Sequence, residues 1–106
     1  MTWESASVEW VVGRFRAEVE QLHPFHQDLL RPLLVAPYTV AVEAHPGETV
    51  VVVAEHAGSV LYWSDVEEGW ELEPLTESGG ISDRGCNQFE LRHIAHRLFG
   101  APPNAS

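Results

Sequence analysis

Residues 49–64 have the sequence TVVVVAEHAGSVLYWS, which contains two adjacent strand patterns. Thr49 to Glu55 is β-branched and mostly apolar, as is typical of a central strand buried on both faces of a sheet. His56-Ala57-Gly58 predicts a turn, and Ser59 to Ser64, which includes Tyr62 and Trp63, predicts a second strand. Because the connection is so short, the two strands are expected to pair antiparallel.

The same pattern continues on both sides of this hairpin. Tyr38 to Glu43 alternates apolar and polar residues, and a Pro-Gly turn at His45–Glu48 separates this run from Thr49. An acidic turn, Asp65–Gly69, leads to a further alternating run at Trp70–Glu73. The closely spaced runs predict a sequential antiparallel meander of four strands.

Helical patterns flank the predicted sheet. Apolar residues from Val8 to Leu22 recur at helical spacing after Ser7, a suitable N-cap, although an opening strand is an alternative because Val8, Trp10 and Val12 also alternate. Pro24 stops this helix and suits the first position of a second, short one. Pro32 and Pro37 then bracket an extended segment.

The last helix carries the clearest local signals. Asn87 is the predicted N-cap, Glu90 completes a capping box, and Gly100 is placed for a C-cap before two prolines. Between Pro74 and Gly85 there is little periodicity, so this segment is predicted to be a loop. We therefore expect one α+β domain over residues 1–106 with a frayed tail at 101–106. The helices should pack on one face of the sheet, and the other face, with its glutamates and aromatic residues, could be open.

Composition excludes several classes of protein. The 44% hydrophobic content against 21% charged residues indicates a globular chain rather than a disordered one. The single cysteine, Cys86, allows no internal disulfide, which fits a reducing compartment. No N-terminal signal pattern is present, and no apolar run approaches the ~20 residues of a membrane-spanning helix. These observations predict a cytoplasmic protein.

The charges are distributed unevenly along the chain. No basic residue occurs between Arg31 and Arg84, although the formal net charge of the chain is −10. A field of one sign repels nucleic acid and anionic membranes, and it attracts basic surfaces. Ten carboxylates lie in this stretch: Glu43, Glu48, Glu55, Asp65, Glu67, Glu68, Glu71, Glu73, Glu77 and Asp83.

The candidates for chemistry have simpler structural interpretations. Cys86, just before the predicted N-cap, could be an activated thiol, but it is also placed to form a hydrophobic staple with Leu91. Two histidine pairs, His23 with His26 and His93 with His96, lack the additional ligands of a known metal motif. We therefore predict no catalytic residue, metal or cofactor, and a protein that is not an enzyme.

The aromatic and acidic residues of the third and fourth strands point to protein binding. Trp63 or Tyr62 should come near Trp70 across the strand pair, and core packing is the default for at least two of these three rings. If one of them is exposed beside Glu71 and Glu73, it is an aromatic anchor rimmed by carboxylates, which is the composition of a binding hot spot. Glu77 and Asp83 in the loop are second choices for the same surface. The predicted partner-binding residues are Asp65, Glu67, Glu68, Glu71, Glu73, Trp63, Trp70, Glu77 and Asp83.

Two runs, YWSDVEEGW at 62–70 and GCNQFEL at 85–91, resemble segments of small uncharacterised bacterial proteins, some of which are similar to immunity proteins of toxin–immunity loci. The resemblance covers roughly the C-terminal third of the chain. It implies an acidic cytosolic α+β domain that blocks a toxin, often a basic nuclease, by binding it. It assigns no contact residues.

The leading hypothesis from the sequence is a non-catalytic domain, monomeric or homodimeric, that inhibits a basic protein. One alternative is an acidic chaperone or adaptor for a secreted effector, which predicts an exposed apolar patch. Another is a small ligand-binding domain or enzyme with a pocket beside the 74–85 loop, near Cys86, His56 and Asn87. Mimicry of DNA by the carboxylates is a variant of the first hypothesis.

Overall fold

A computed structural model describes residues 7–65, 68–83, 85 and 89–103. Arg31–Leu33 form a single 3₁₀ turn between the second helix and the first strand. In chain order the other elements are α1 (Val8–Glu20), α2 (Pro24–Leu30), β1 (Leu34–Ala41), β2 (Thr49–His56), β3 (Ser59–Ser64), β4 (Gly69–Pro74) and α3 (Leu91–Phe99).

The four strands form one antiparallel sheet in the order β1-β2-β3-β4, which confirms the predicted meander. β1 begins at Leu34, earlier than the predicted Tyr38, and its register shifts between these two residues. Pro37 lies within the shift on an edge strand, where a missing N–H disturbs no ladder. The apolar run of β2 is buried on both sides from Val50 to Ala54, as its composition predicted.

α1 and α3 pack on one face of the sheet, as expected, and Leu30 of α2 belongs to the same core. Val11 and Phe15 of α1 pack with Val51 and Val53 of β2, and the same cluster contains Ile94 of α3. Ser7 caps α1 by accepting a hydrogen bond from the Trp10 N–H, so the opening segment is a helix and not a strand. Within the described residues, no helix is long and apolar enough to cross a membrane.

The opposite face is covered, which differs from the expectation that it could be open. It holds a second core of Val40, Val42, Val50, Val52, Val60, Tyr62 and Ile81. The Leu75 N–H donates to the Gly58 carbonyl at 3.1 Å, and the Ile81 N–H donates to the Ala41 carbonyl at 3.0 Å. Ala41 pairs with Thr49 at the start of β2, and Gly58 follows the end of β2, so the sheet must curl for so short a segment to reach both.

Gly80 allows the covering segment to approach β1 closely. A Cβ atom at this position would lie 2.6 Å from the Ala41 carbonyl oxygen, which is closer than real Cβ contacts come. Ile81 then forms a parallel bridge with Val42. The described part of the predicted loop, residues 75–83 and Gly85, therefore covers this face of the sheet.

α3 begins later than its capping signals predicted. Glu90 itself is the N-cap, and the capping box is reciprocal with His93, whose Nδ1 accepts from the Glu90 N–H at 3.1 Å. Phe89 is held in extended backbone because its carbonyl accepts from the Trp70 N–H at 2.8 Å. The predicted cap Asn87 lies outside the described residues. Gly100 follows α3 with a φ of 78°, as its C-cap position predicted.

Candidate functional site

Three of the predicted partner-binding residues are buried, which corrects the expected binding surface. Trp63 is 5% exposed, Trp70 is 0% exposed and Glu71 is 3% exposed. A partner cannot contact these side chains without opening the domain. The hypothesis that an exposed tryptophan lies beside Glu71 therefore does not hold for this structure.

The two tryptophans face the helices, because alternation along β3 and β4 turns both towards the first core. Their ring centroids are 5.2 Å apart in an edge-to-face arrangement, and Trp70 makes a similar contact with Phe15 at 5.4 Å. The Trp70 indole N–H donates to Glu18 Oε2 at 2.8 Å, so its polar atom is satisfied inside the molecule. Both rings are part of the helix–sheet core.

Glu71 and Glu73 share the other face, as their spacing in β4 predicted. Glu71 lies under the covering segment, since a Cβ on Gly85 would be 2.2 Å from the Glu71 carboxyl carbon. The Gly85 N–H donates to the buried Tyr62 hydroxyl at 2.8 Å. Burial, together with the nearby carboxylates of Glu73 and Glu71, raises the pKa of Tyr62, although the bond from Gly85 opposes this. The contacts of Gly85 with Tyr62 and Glu71 therefore hold the covering segment against the sheet.

Exposed and half-buried carboxylates lie along the covering segment, from the end of β1 to β4. The Glu43 carboxylate accepts hydrogen bonds from the hydroxyls of Thr76 and Ser78, which places it beside Glu77. Asp83 lies 3.0 Å from His45 Nε2 and acts electrostatically on Glu73. We call Glu43, Glu73, Glu77 and Asp83 the acidic rim.

The rim contains three predicted residues and one that the sequence analysis did not select. Glu77 and Asp83 were second choices, yet both are exposed, and Glu73 is half-buried. Glu43 was counted in the charge field but was assigned no role. The Glu43 carboxylate is positioned by the hydroxyls of Thr76 and Ser78. These hydroxyls are visible in the sequence, but nothing in their spacing indicates that they bind a carboxylate 33 or 35 residues away.

Two further predicted residues lie in the turn between β3 and β4. Asp65 is half-buried, and Glu68 is exposed with a positive φ of 52°. Glu67 lies outside the described residues.

The pKa values of two rim residues shift in opposite directions. Hydrogen bonds from Ser78 and Thr76 lower the pKa of Glu43. Burial raises the pKa of Glu73, and the neighbouring Asp83 raises it further, while Arg97 and the Tyr62 hydroxyl act against the shift. The rim therefore contains one carboxylate whose ionised form the fold stabilises and one whose ionised form it disfavours.

We expect Glu43→Gln and Glu73→Gln to change stability in opposite directions at neutral pH. Glu43 contributes stability above its unfolded pKa, and this is lost as pH falls through its lowered folded pKa; Glu43→Gln should therefore destabilise the protein at pH ~7. Glu73 favours the folded state only below its unfolded pKa, and this is lost as pH rises through its raised folded pKa. Glu73→Gln should therefore stabilise the protein at pH ~7 relative to the wild type.

Urea unfolding of the wild type and both variants at pH ~7 and pH ~3 measures these effects. Both differences from the wild type should shrink as the pH falls and the two carboxyl groups take up protons, Glu73 before Glu43. Effects of the same sign at neutral pH, or effects independent of pH, would contradict the assignment.

The histidines have structural contacts. His26 is 2% exposed, and its Nε2–H donates to the Gly100 carbonyl at 2.8 Å, which joins α2 to the end of α3. His23 Nδ1 accepts from the Phe25 N–H, and His93 belongs to the α3 capping box. No group of three or more potential metal ligands occurs among the described residues. Cys86 and Asn87 lie outside them.

A cavity of about 440 Å³ lies between α1 and the start of α3, away from the 74–85 segment. Its charged walls are already paired: Arg14 Nε is 2.7 Å from Glu18, and Arg92 Nε is 2.9 Å from Glu90. The cavity therefore lies apart from the pocket predicted near Cys86, His56 and Asn87, and that alternative stays a prediction.

Among the described residues, Trp10 is the most exposed large aromatic side chain, and it was not predicted to bind a partner. It is 48% exposed on α1, and its ring lies 5.3 Å from that of Trp63. The Arg14 guanidinium also lies 5.3 Å from the Trp63 ring, in cation–π geometry. In the sequence, the exposure of Trp10 was indicated by its position just outside the apolar stripe of α1.

Comparison with known proteins adds no assignment. No protein-family model, curated protein or solved structure matches this chain.

Proposed function

We propose that this protein is a non-catalytic interaction domain that binds and inhibits a basic protein partner through the acidic rim, acting as an immunity protein against a bacterial toxin. The observation that carries the proposal is the convergence of Glu43, Glu73, Glu77 and Asp83 in a stretch without any basic residue from 32 to 83. Such a surface attracts a basic partner and accelerates its encounter.

The rim is also held in place before any partner arrives. Thr76 and Ser78 fix the Glu43 carboxylate, and His45 contacts Asp83. Fixed carboxylates lose less conformational entropy on binding than freely moving ones. Carboxylates in such an arrangement can occupy the sites where a nuclease binds phosphate, so inhibition requires no chemical step.

An apolar contact adjacent to the rim comes from Leu75 rather than from the buried tryptophans. Leu75 is 38% exposed and directly precedes Thr76. An exposed apolar side chain surrounded by charges can be desolvated by a partner, as at the centre of a hot spot. The acidic rim then supplies steering, and Leu75 supplies buried apolar area.

The test compares two double variants with the same change in net charge. Glu77→Lys with Asp83→Lys reverses charge in the rim, whereas Glu9→Lys with Glu20→Lys reverses two exposed carboxylates on α1. A basic protein retained stoichiometrically from host lysate by the wild type is identified, purified and measured by stopped-flow association. The rim variant should associate at least about tenfold more slowly at low salt, with a weaker salt dependence.

The α1 variant should associate at nearly the wild-type rate. Equal slowing of both variants would show that net charge, and not the rim, controls association. Unchanged association of the rim variant would refute the proposed binding surface.

A further inference from the structure

The helices leave part of the first face of the sheet uncovered along β1. α1 packs over β2, where Val51 and Val53 are at most 4% exposed. Leu34 of β1 is 43% exposed, and Pro37 and Thr39 are also exposed. The covering of this face therefore ends between β2 and the edge strand.

Two adjoining cavities of about 150 Å³ and 180 Å³ occupy this gap and share Leu34 as a wall. We call them together the α1–β1 groove. Its walls are mainly apolar, and the 32–42 segment that forms one side contains no charged residue. The main lining side chains are Val12, Phe15, Val19, Leu30, Leu34 and Pro37.

The charged residues that line the groove are positive, whereas the net charge of the protein is negative. Arg16 lines one cavity and Arg31 lines the other. Arg16 makes no ion pair among the described residues, and Arg31 has only an exposed contact with Asp28 at 3.7 Å. In a chain with 16 carboxylates and 6 arginines, an arginine without an acidic partner beside an apolar groove is available to an external carboxylate.

We propose that the α1–β1 groove binds a short segment of a partner protein in which apolar side chains are flanked by carboxylates. The apolar side chains occupy the two cavities, and the carboxylates pair with Arg16 and Arg31. This surface is separate from the acidic rim in composition and in the sign of its charge. The inference therefore does not depend on the proposed inhibition of a basic protein.

The sign of the charge preference makes the proposal testable. With a formal net charge of −10, long-range electrostatics favour a basic peptide over an acidic one. The groove predicts the reverse preference, because contact with Arg16 and Arg31 acts at short range. A preference for an acidic peptide cannot arise from the overall charge of the protein.

The probes are two fluorescein-labelled heptapeptides, Glu-Val-Thr-Leu-Thr-Val-Glu and Lys-Val-Thr-Leu-Thr-Val-Lys. Their binding to the full chain is measured by fluorescence anisotropy at physiological ionic strength, where long-range interactions are largely screened. The acidic peptide should bind at least about tenfold more tightly than the basic one. Leu34→Ser, a change at an exposed position, should weaken binding of the acidic peptide by a similar factor.

The arginine variants provide a matched pair. Arg16→Gln with Arg31→Gln should abolish the preference between the peptides, whereas Arg92→Gln with Arg97→Gln on α3 changes the net charge equally and should preserve it. Circular dichroism checks that each variant is folded. The rim variant Glu77→Lys with Asp83→Lys should also keep the preference, which separates this test from that of the proposed function.

Three results would overturn the inference. The first is failure of either peptide to bind, and the second is equal or stronger binding of the basic peptide. The third is a concentration-dependent dimer in sedimentation that Leu34→Ser dissociates, which would assign the groove to a second copy of this chain.

Discussion

Trp70→Ala should lower the free energy of unfolding by about 3–5 kcal/mol, the usual cost of removing a large buried aromatic side chain. Trp70 is 0% exposed and packs edge-to-face against both Phe15 and Trp63. Alanine would leave a cavity between α1 and the β3–β4 pair and would remove the donor that now bonds Glu18. Equilibrium unfolding in urea measures the loss, with the m-value as a check on two-state behaviour.

Trp10→Ala is the matched control for this substitution. Trp10 is 48% exposed, so the same change should cost less than about 1 kcal/mol, as surface substitutions usually do. A loss at Trp70 no larger than that at Trp10 would mean that the Trp70 ring is not in the core. The earlier hypothesis of an exposed anchor in β4 would then return.

The order of elements could be predicted because its signals are local. The run from Val50 to Ala54 is too uniformly apolar for a strand with one solvent-exposed face, and it is buried on both faces. Ser7 and Gly100 mark helix ends through their own backbone and side-chain chemistry. Such features act over a few residues, so no knowledge of distant contacts is needed to interpret them.

The curl of the sheet and its cover depend on distant contacts. Ile81 forms a bridge with Val42, and the Gly85 N–H donates to the Tyr62 hydroxyl. No periodicity in residues 74–85 of the sequence predicts these contacts. Alternation correctly placed Glu71 and Glu73 on one face. Alternation does not show whether that face is exposed to solvent, because this depends on the segment that covers it. For this reason Glu71 was wrongly expected at the surface.

The sequence predicted the charge of the candidate site but not which side chains are exposed there. The absence of basic residues from 32 to 83 indicated an acidic surface, and Glu77 and Asp83 do lie on the rim. Trp63 was misplaced because the same alternating pattern fits a strand with either face towards the helices. Only the packing of α1 and α3 on that face determines that the ring is buried.

Glu18→Ala should lower the free energy of unfolding by about 2–4 kcal/mol, because it leaves buried N–H groups without an acceptor. The Glu18 carboxylate accepts from the Trp70 indole N–H at 2.8 Å and from the Leu91 backbone N–H at 3.2 Å. It also pairs with Arg14 at 2.7 Å. One side chain thus connects α1, β4 and the first turn of α3, where a negative charge also interacts favourably with the helix dipole.

Two further variants separate the contributions of Glu18. Glu18→Gln keeps a carbonyl acceptor but loses the charge. If unsatisfied donors dominate the effect, the free energy of unfolding of this variant should lie between those of the wild type and Glu18→Ala. Glu20→Ala, at an exposed position of the same helix, should change stability by no more than about 0.5 kcal/mol. If Glu18→Gln costs as much as Glu18→Ala and the cost disappears at high salt, the ion pair with Arg14 and the helix dipole would account for it instead. In that case Glu18 would stabilise the contact of α1 with α3 by charge, and the Trp70 indole N–H would need no acceptor from α1.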